Sequence, residues 1–297
     1  MGELGTEAMK VRTRVEAAAD VLDHVRSLGL NPKSTSRLSA MHQTLQRGYV
    51  PFDDSEFSIA LESIRDIQDL VFIFDELRVH RGDKNFVRVV KHLLNDSVLP
   101  QDDRRNSPGR DAQFELYLAA VCQRAGLAPV EFEEPDILCT VDGMTMAIAA
   151  KRLKSNTPQA LEKHVRKAAN QIMLANHPGI VALDLSLAKN QENRPIVSSI
   201  ESQLHEMIAD TRNRQFFAAH EKDIKRWVEG AEVRAVVVFD SRIRLRPSRE
   251  WCVDATMCWL ETTGEDQEAD REFQAFYSKF LGGFPKLIDR VAENASG

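Results

Sequence analysis

The dipeptide Asp142-Gly143, set between the alternating segments ILCTV and MTMAIAAKR, constrains this chain more than any other feature. A two-residue hairpin turn needs positive φ at both central positions, and Asp-Gly supplies it. If the turn has two residues, the register follows. Val141 faces Met144, Cys139 faces Met146 and Ile137 faces Ile148, which makes one continuous apolar face. The other face pairs Thr140 with Thr145, Leu138 with Ala147 and Asp136 with Ala149. Lys151 lies one step further along that second face. Directly opposed side chains start only about 4.5–5.5 Å apart, so alternation alone predicts an acid and an amine together.

The flanking segments place this hairpin in an α/β frame. Ser107-Pro108 opens a helix through AQFELYLAAVCQRA that stops at Gly126. Strands are expected at about 129–132, 136–141 and 144–151, and Thr157-Pro158 starts a second helix reaching about Asn176. The buried strand GIVALDLSL (179–187) follows, then a helical stretch (196–229), a second buried strand RAVVVFD (234–240), a strand WCVDATMCWL (251–260) and a closing helix (267–291). The acidic run EDQEADRE reads as the start of that last helix. Upstream, apolar residues recur at helical spacing through Ala17, Val21, Val25 and Leu28, and again through Phe57, Ala60, Ile64 and Ile67. Asp54 and Ser55 offer a cap for the second of these helices, and Gly29–Lys33 and Arg81–Lys84 are breaks. The polar loop Leu99–Gly109 divides a helical N-terminal region, 1–105, from an α/β domain, 106–297, with a helical insertion at about 188–231.

Bulk properties prune the function classes. A chain of 297 residues can bury an ample core. Cys122, Cys139, Cys252 and Cys258 lie in apolar stretches with no zinc or redox spacing, and read as reduced core residues of a cytoplasmic protein. No run approaches the ~18 apolar residues of a membrane span, and no secretory signal opens the chain, so a soluble protein without a membrane partner is expected. Net charge is −6, which argues against nonspecific coating of nucleic acid and leaves room for one local basic face. Dinucleotide, nucleoside-triphosphate, zinc-peptidase and serine-hydrolase motifs are absent.

A second acid stands on the first helix of the α/β domain. Glu115 shares a helical face with Leu118, Ala119 and Cys122, which puts a carboxylate on or beside an apolar stripe. The plain alternative is a glutamate at the stripe's edge, reaching solvent or pairing with an arginine. Glu115, Pro135-Asp136 at a strand, Lys151 closing the next strand, and the order helix, three strands, helix, strand together resemble the PD-(D/E)xK, or restriction-endonuclease-like, nuclease superfamily. The resemblance covers roughly residues 106–187, reaches at most the strand that ends at Asp240, and says nothing of the N-terminal region.

The resemblance implies a mixed sheet in a restriction-endonuclease-like core and a Mg²⁺-dependent nuclease, with Mn²⁺ able to substitute, acting on DNA in preference to RNA. Asp136 and Glu115 would hold the metal with the backbone carbonyl of Ala150, Lys151 would serve the attacking water, and Gln171 would support the site. The departure is Ala149, which stands where the superfamily has its second hairpin acid and cannot ligate a metal. Mg²⁺ retains several waters, so one or two carboxylates can suffice. Glu162, on the following helix, is a candidate for a displaced acid; Glu133 and Glu134 are nearer in sequence, and Glu115 ranks first.

Two basic clusters suit a phosphate backbone. Arg152, Lys154, Lys163, Arg166 and Lys167 surround the second helix against the single acid Glu162. SRIRLRPSR (241–249) follows a buried strand, and its alternation would aim Arg242, Arg244 and Arg246 to one side if extended, as a clamp on phosphates or on a partner's acidic patch. The alternative to hydrolysis is an inactive nuclease fold that binds nucleic acid or protein, with the N-terminal helices contacting a partner or a second copy.

Overall fold

The computed structural model describes residues 3–48, 56–103, 106–197, 211–245, 251–262 and 267–285. The protein is α/β, and it divides into two compact units, residues 1–120 and 121–297. Among the described residues no helix is long and apolar enough to cross a membrane.

The first unit is helical: α1 (Glu3–Ser27), α2 (Arg37–Gln46), α3 (Phe57–Glu76), α4 (Lys84–His92) and the first turns of α5 (Pro108–Arg124). Both expected breaks occur, and Gly29 takes φ +77° just after α1. Ser36 caps α2 through the Ser39 amide, and Asp83 caps α4 through the Asn85 amide at 2.7 Å. The proposed cap at Asp54 and Ser55 lies outside the described residues. Val21, Val25, Leu38, Met41, Leu70 and Ile73 are buried between the helices.

An ionic network is buried in the same unit. Arg37 Nη2 donates to Asp66 Oδ2 and to Gln113 Oε1, each at 2.5 Å, and Arg110 Nη1 lies 3.2 Å from Asp66. Burial works to raise the Asp66 pKa, but the guanidiniums of Arg110, Arg37 and Arg65 overcome it and hold the carboxyl below its usual range. Asp69 accepts from Gln113 Nε2 at 3.3 Å. Burial and the neighbouring Asp66 push Asp69 up to about 7.

The second unit is built on a seven-stranded mixed sheet. Its strands are β1 (Val130–Glu131), β2 (Ile137–Val141), β3 (Met144–Arg152), β4 (Gly179–Asp184), β5 (Ile196–Val197), β6 (Val233–Leu245) and β7 (Trp251–Glu261). The order is β1-β2-β3-β4-β6-β5, with β7 on β6; β3, β4 and β6 are parallel neighbours, and β1-β2-β3 and β6-β7 are antiparallel. Asp142 and Gly143 take φ +49° and +85°, and the expected hairpin pairs from Val141 with Met144 to Ile137 with Ile148 form; the expected pair of Asp136 with Ala149 does not, because β2 begins at Ile137.

Helix α6 (Pro158–Ala175) covers one face of this sheet. Thr157 caps it, Pro158 starts it, and Asn176 ends it at φ +55°. Its Leu161, Val165, Ala168, Ala169 and Ile172 pack with Leu138, Ala147, Ala149, Val181 and Leu183, and with Phe217, Ile224 and Trp227 of α8 (Thr211–Val228). Gly179 is required at the start of β4, because a Cβ there would stand 2.4 Å from the Ala147 carbonyl oxygen.

Several expected boundaries shift. The strand begun at Gly179 stops at Asp184 and gives way to the short α7 (Ser186–Lys189). Within the expected helical insertion, residues 196–197 pair with β6 as β5, and the described helix is α8. The strand expected to end at Asp240 runs on to Leu245, because β7 pairs with it along its length, from Ala235 with Glu261 to Leu245 with Trp251. The last helix, α9 (Gln267–Gly282), ends nine residues before 291, and residues 286–297 lie outside those described.

Candidate active site at the hairpin

The two-residue turn fixes which face each hairpin side chain takes, and it puts Asp136 and Lys151 on the α6 face. Lys151 Nζ donates to Asp136 Oδ2 at 2.6 Å and to the Ala150 carbonyl oxygen at 2.9 Å. The Ala150 amide donates to the same Asp136 oxygen at 2.7 Å. The pair is largely enclosed, with side-chain exposures of 10 % for Lys151 and 21 % for Asp136. Burial pushes the Asp136 carboxyl up, against the pull of the Lys151 ammonium and the Ala150 amide.

Gln171 joins this group from α6. Its Nε2 donates to the Pro135 carbonyl oxygen and to Glu134 Oε2, both at 3.0 Å. The amide therefore pins the segment that presents Asp136. Ala149 is fully buried beneath α6, in the place where the resemblance puts a second carboxylate. Glu162 does not supply it: its carboxylate pairs with Arg166 at 2.8 Å on the outer surface of α6. Glu133 is exposed, and Glu115 is half-buried on α5 within the first unit. Among the described residues, no group of three or more His, Cys, Asp or Glu is placed to hold a metal ion.

The chain matches no family model, no curated protein and no solved structure.

The basic residues divide into two sets. Lys163 and Lys167 are exposed on α6, Lys154 is half-buried, and Arg166 is exposed but paired with Glu162. Arg152 and Arg242, by contrast, are engaged inside the fold. Arg152 Nε meets Asp184 at 2.7 Å with its side chain 8 % exposed. Arg242 is 4 % exposed and grips Asp240 with Nε at 2.7 Å and Nη2 at 3.1 Å. It is no surface clamp, because the segment that carries it is a paired strand. Arg244 continues that strand; its side chain, like all of Arg246, lies outside the described residues.

Sequence reasoning passed over the acids that hold these arginines. Asp184 closes β4, and Asp240 lies within β6, just past its last pair with β4. Ser186 binds Asp184 through both amide and hydroxyl, at 2.9 and 2.5 Å, and its hydroxyl accepts from the Ser241 amide. Burial works against the Asp184 charge, yet Arg152 and Ser186 hold its pKa below the usual value. At Asp240 burial prevails over Arg242 and Lys189, and the pKa is raised. The signal was present, since both apolar runs, GIVALD and AVVVFD, end in aspartate with a serine one or two residues on.

Proposed function

We propose that the second unit is a restriction-endonuclease-like domain that hydrolyses phosphodiester bonds of nucleic acid, DNA in preference to RNA, with Mg²⁺ as its cofactor. One observation carries the reading: Asp136 Oδ2 and Ala150 O converge on a single cation, the Lys151 ammonium. The order of antiparallel β1-β2-β3 followed by parallel β4, with α6 between, supports it.

The donor set suits a hard cation, because a carboxylate and a carbonyl oxygen face the same point and Mg²⁺ takes oxygen ligands while keeping waters. Asp136 and Ala150 O would hold it, and it would relieve the charge gathering on the phosphate and acidify a bound water. Lys151 supplies hydrogen bonds to the attacking water or to a phosphate oxygen, in a pocket where donated hydrogen bonds count for more than in bulk water. Gln171 keeps the Pro135-Asp136 segment in position. Lys163 and Lys167 offer charge to the backbone of the substrate.

The test is cleavage of plasmid and single-stranded DNA with Mg²⁺ or Mn²⁺, comparing the native chain with Lys151→Ala. Activity in the native chain that falls by a factor of about 10² or more in the variant is expected; equal activity, or none in either, rejects the reading.

A second reading is favoured by Ala149, a buried methyl where another ligand would stand, and by an ammonium already seated between the two oxygens. In that case Lys151 replaces the metal, and the domain binds nucleic acid without cutting it. Calorimetry would then show no metal uptake that depends on Asp136, and affinity for nucleic acid would survive Asp136→Ala.

A further inference from the structure

Helix α6 carries on its outer surface a stripe of mixed chemistry. Lys163, Lys167, Asn170 and Leu174 recur at intervals of four, three and four residues, which stacks them on one helical face. All are exposed, Leu174 to 79 %, and the adjacent Met173 is 51 % exposed. Lys163 and Lys167 precede Leu174 by about 16 and about 10 Å of helical rise, and the apolar pair stands at the helix end. Gln171 reaches from the apolar end to the Pro135 carbonyl oxygen at 3.0 Å, so that end lies beside the segment carrying Asp136. Of the nearby acids, Glu162 is paired with Arg166 at 2.8 Å and Glu134 accepts from Gln171 at 3.0 Å, while Glu133 is exposed beside the Asp136 segment.

A duplex can offer its phosphates to the ammonium groups, but its bases stay stacked inside. An unpaired strand offers phosphates and an apolar base face within one helix length. We propose that the outer face of α6 is a track for single-stranded nucleic acid, with phosphates over Lys163 and Lys167 and an unstacked base against Met173 and Leu174. The proposal rests on the reading that Asp136 and Lys151 act on nucleic acid, and it names the substrate of that site as an unpaired strand or the unpaired portion of a duplex.

The experiment is fluorescence anisotropy with a 5′-labelled single strand of about twenty nucleotides and with the same strand in a duplex. EDTA is present, so cleavage plays no part. The native chain binds the single strand more tightly. Met173→Ser combined with Leu174→Ser weakens single-strand binding about tenfold and duplex binding less than about twofold, the direction expected for a lost base contact. Lys163→Gln combined with Lys167→Gln weakens both and flattens the salt dependence, because phosphate contacts are lost. All four positions are exposed, and matching thermal melts verify that the variants fold.

If the serine variant binds the single strand as the native chain does, or loses both substrates equally, the track is overturned even where cleavage persists. If Lys151→Ala leaves cleavage unchanged while the serine variant still loses single strands selectively, the hydrolytic reading falls and the track stands. A native dimer that the serine substitutions dissolve would assign the apolar pair to a second copy and overturn the track.

Discussion

The ammonium of Lys151 serves two oxygens at once, Asp136 Oδ2 at 2.6 Å and the carbonyl of its own chain neighbour Ala150 at 2.9 Å. Lys151→Met removes the ammonium paired with a carboxyl that burial already pushes up. Stability at pH 7 is expected to fall by about 1–3 kcal/mol. The Asp136 pKa rises further in this variant, so the folded state prefers the protonated acid. The deficit is therefore smaller at pH 5 and grows as pH rises through the new value. Adding Asp136→Asn restores part of the loss. Urea unfolding at both pH values, on both variants, checks the sign as well as the size.

Ala149 directly follows Ile148, the last hairpin partner of β2, precedes the Ala150 amide that donates to Asp136, and is sealed under α6. Ala149→Glu puts a charge and extra volume into that packing, at a cost of about 2–4 kcal/mol in metal-free buffer. If the two oxygens facing Lys151 form a cation site, the new carboxylate completes it, and saturating Mn²⁺ raises the melting temperature of the variant well above any shift in the native chain. Equal shifts would show that the new carboxylate joins no cation site, and no shift in either chain that no cation is held there.

Asp69 gives the first unit a pH dependence of defined sign. Its folded pKa of about 7 lies above the ordinary carboxylate value of 3.8, so the folded chain holds this proton more tightly than the unfolded one. The stability it contributes is complete below about pH 4 and is lost as pH rises toward 7. Asp69→Asn keeps a polar partner for Gln113 without the charge. It should match the native protein near pH 4 and exceed it by on the order of 2 kcal/mol at pH 8. Thermal melts across that range would show the two curves diverging.

Arg242 and Lys163 separate a structural cation from a surface one. Arg242→Ala leaves the buried Asp240 carboxylate with only the more distant Lys189 ammonium, 3.9 Å away, among the described cations and is expected to cost about 3 kcal/mol. Lys163→Ala, at an exposed helix position, stays within about 0.5 kcal/mol. Denaturant midpoints on the two variants decide it.

The hairpin was legible because a two-residue turn fixes parity for both strands, and parity is all that was needed to bring Asp136 to Lys151. Gln171 was singled out by resemblance alone; its reach to Pro135 depends on how α6 lies across the sheet, which helical spacing does not encode. Arg242 was misjudged for a related reason. Its strand owes its length to β7, and a run of arginines without visible acids reads as solvent-facing until Asp240, two residues back on the same face, is seen to hold one of them. Local signals describe a segment, whereas these two cases turn on what a distant segment lays beside it.

The paired positive torsions of Asp142 and Gly143 also limit how this protein can vary. Lengthening or shortening that bend by one residue would not nudge Lys151 along its strand but carry it through to the reverse side of the sheet. The acid would be left alone beneath α6. Whatever work the pair does can thus be tuned by exchanging side chains, while an insertion at the bend abolishes it in a single stroke.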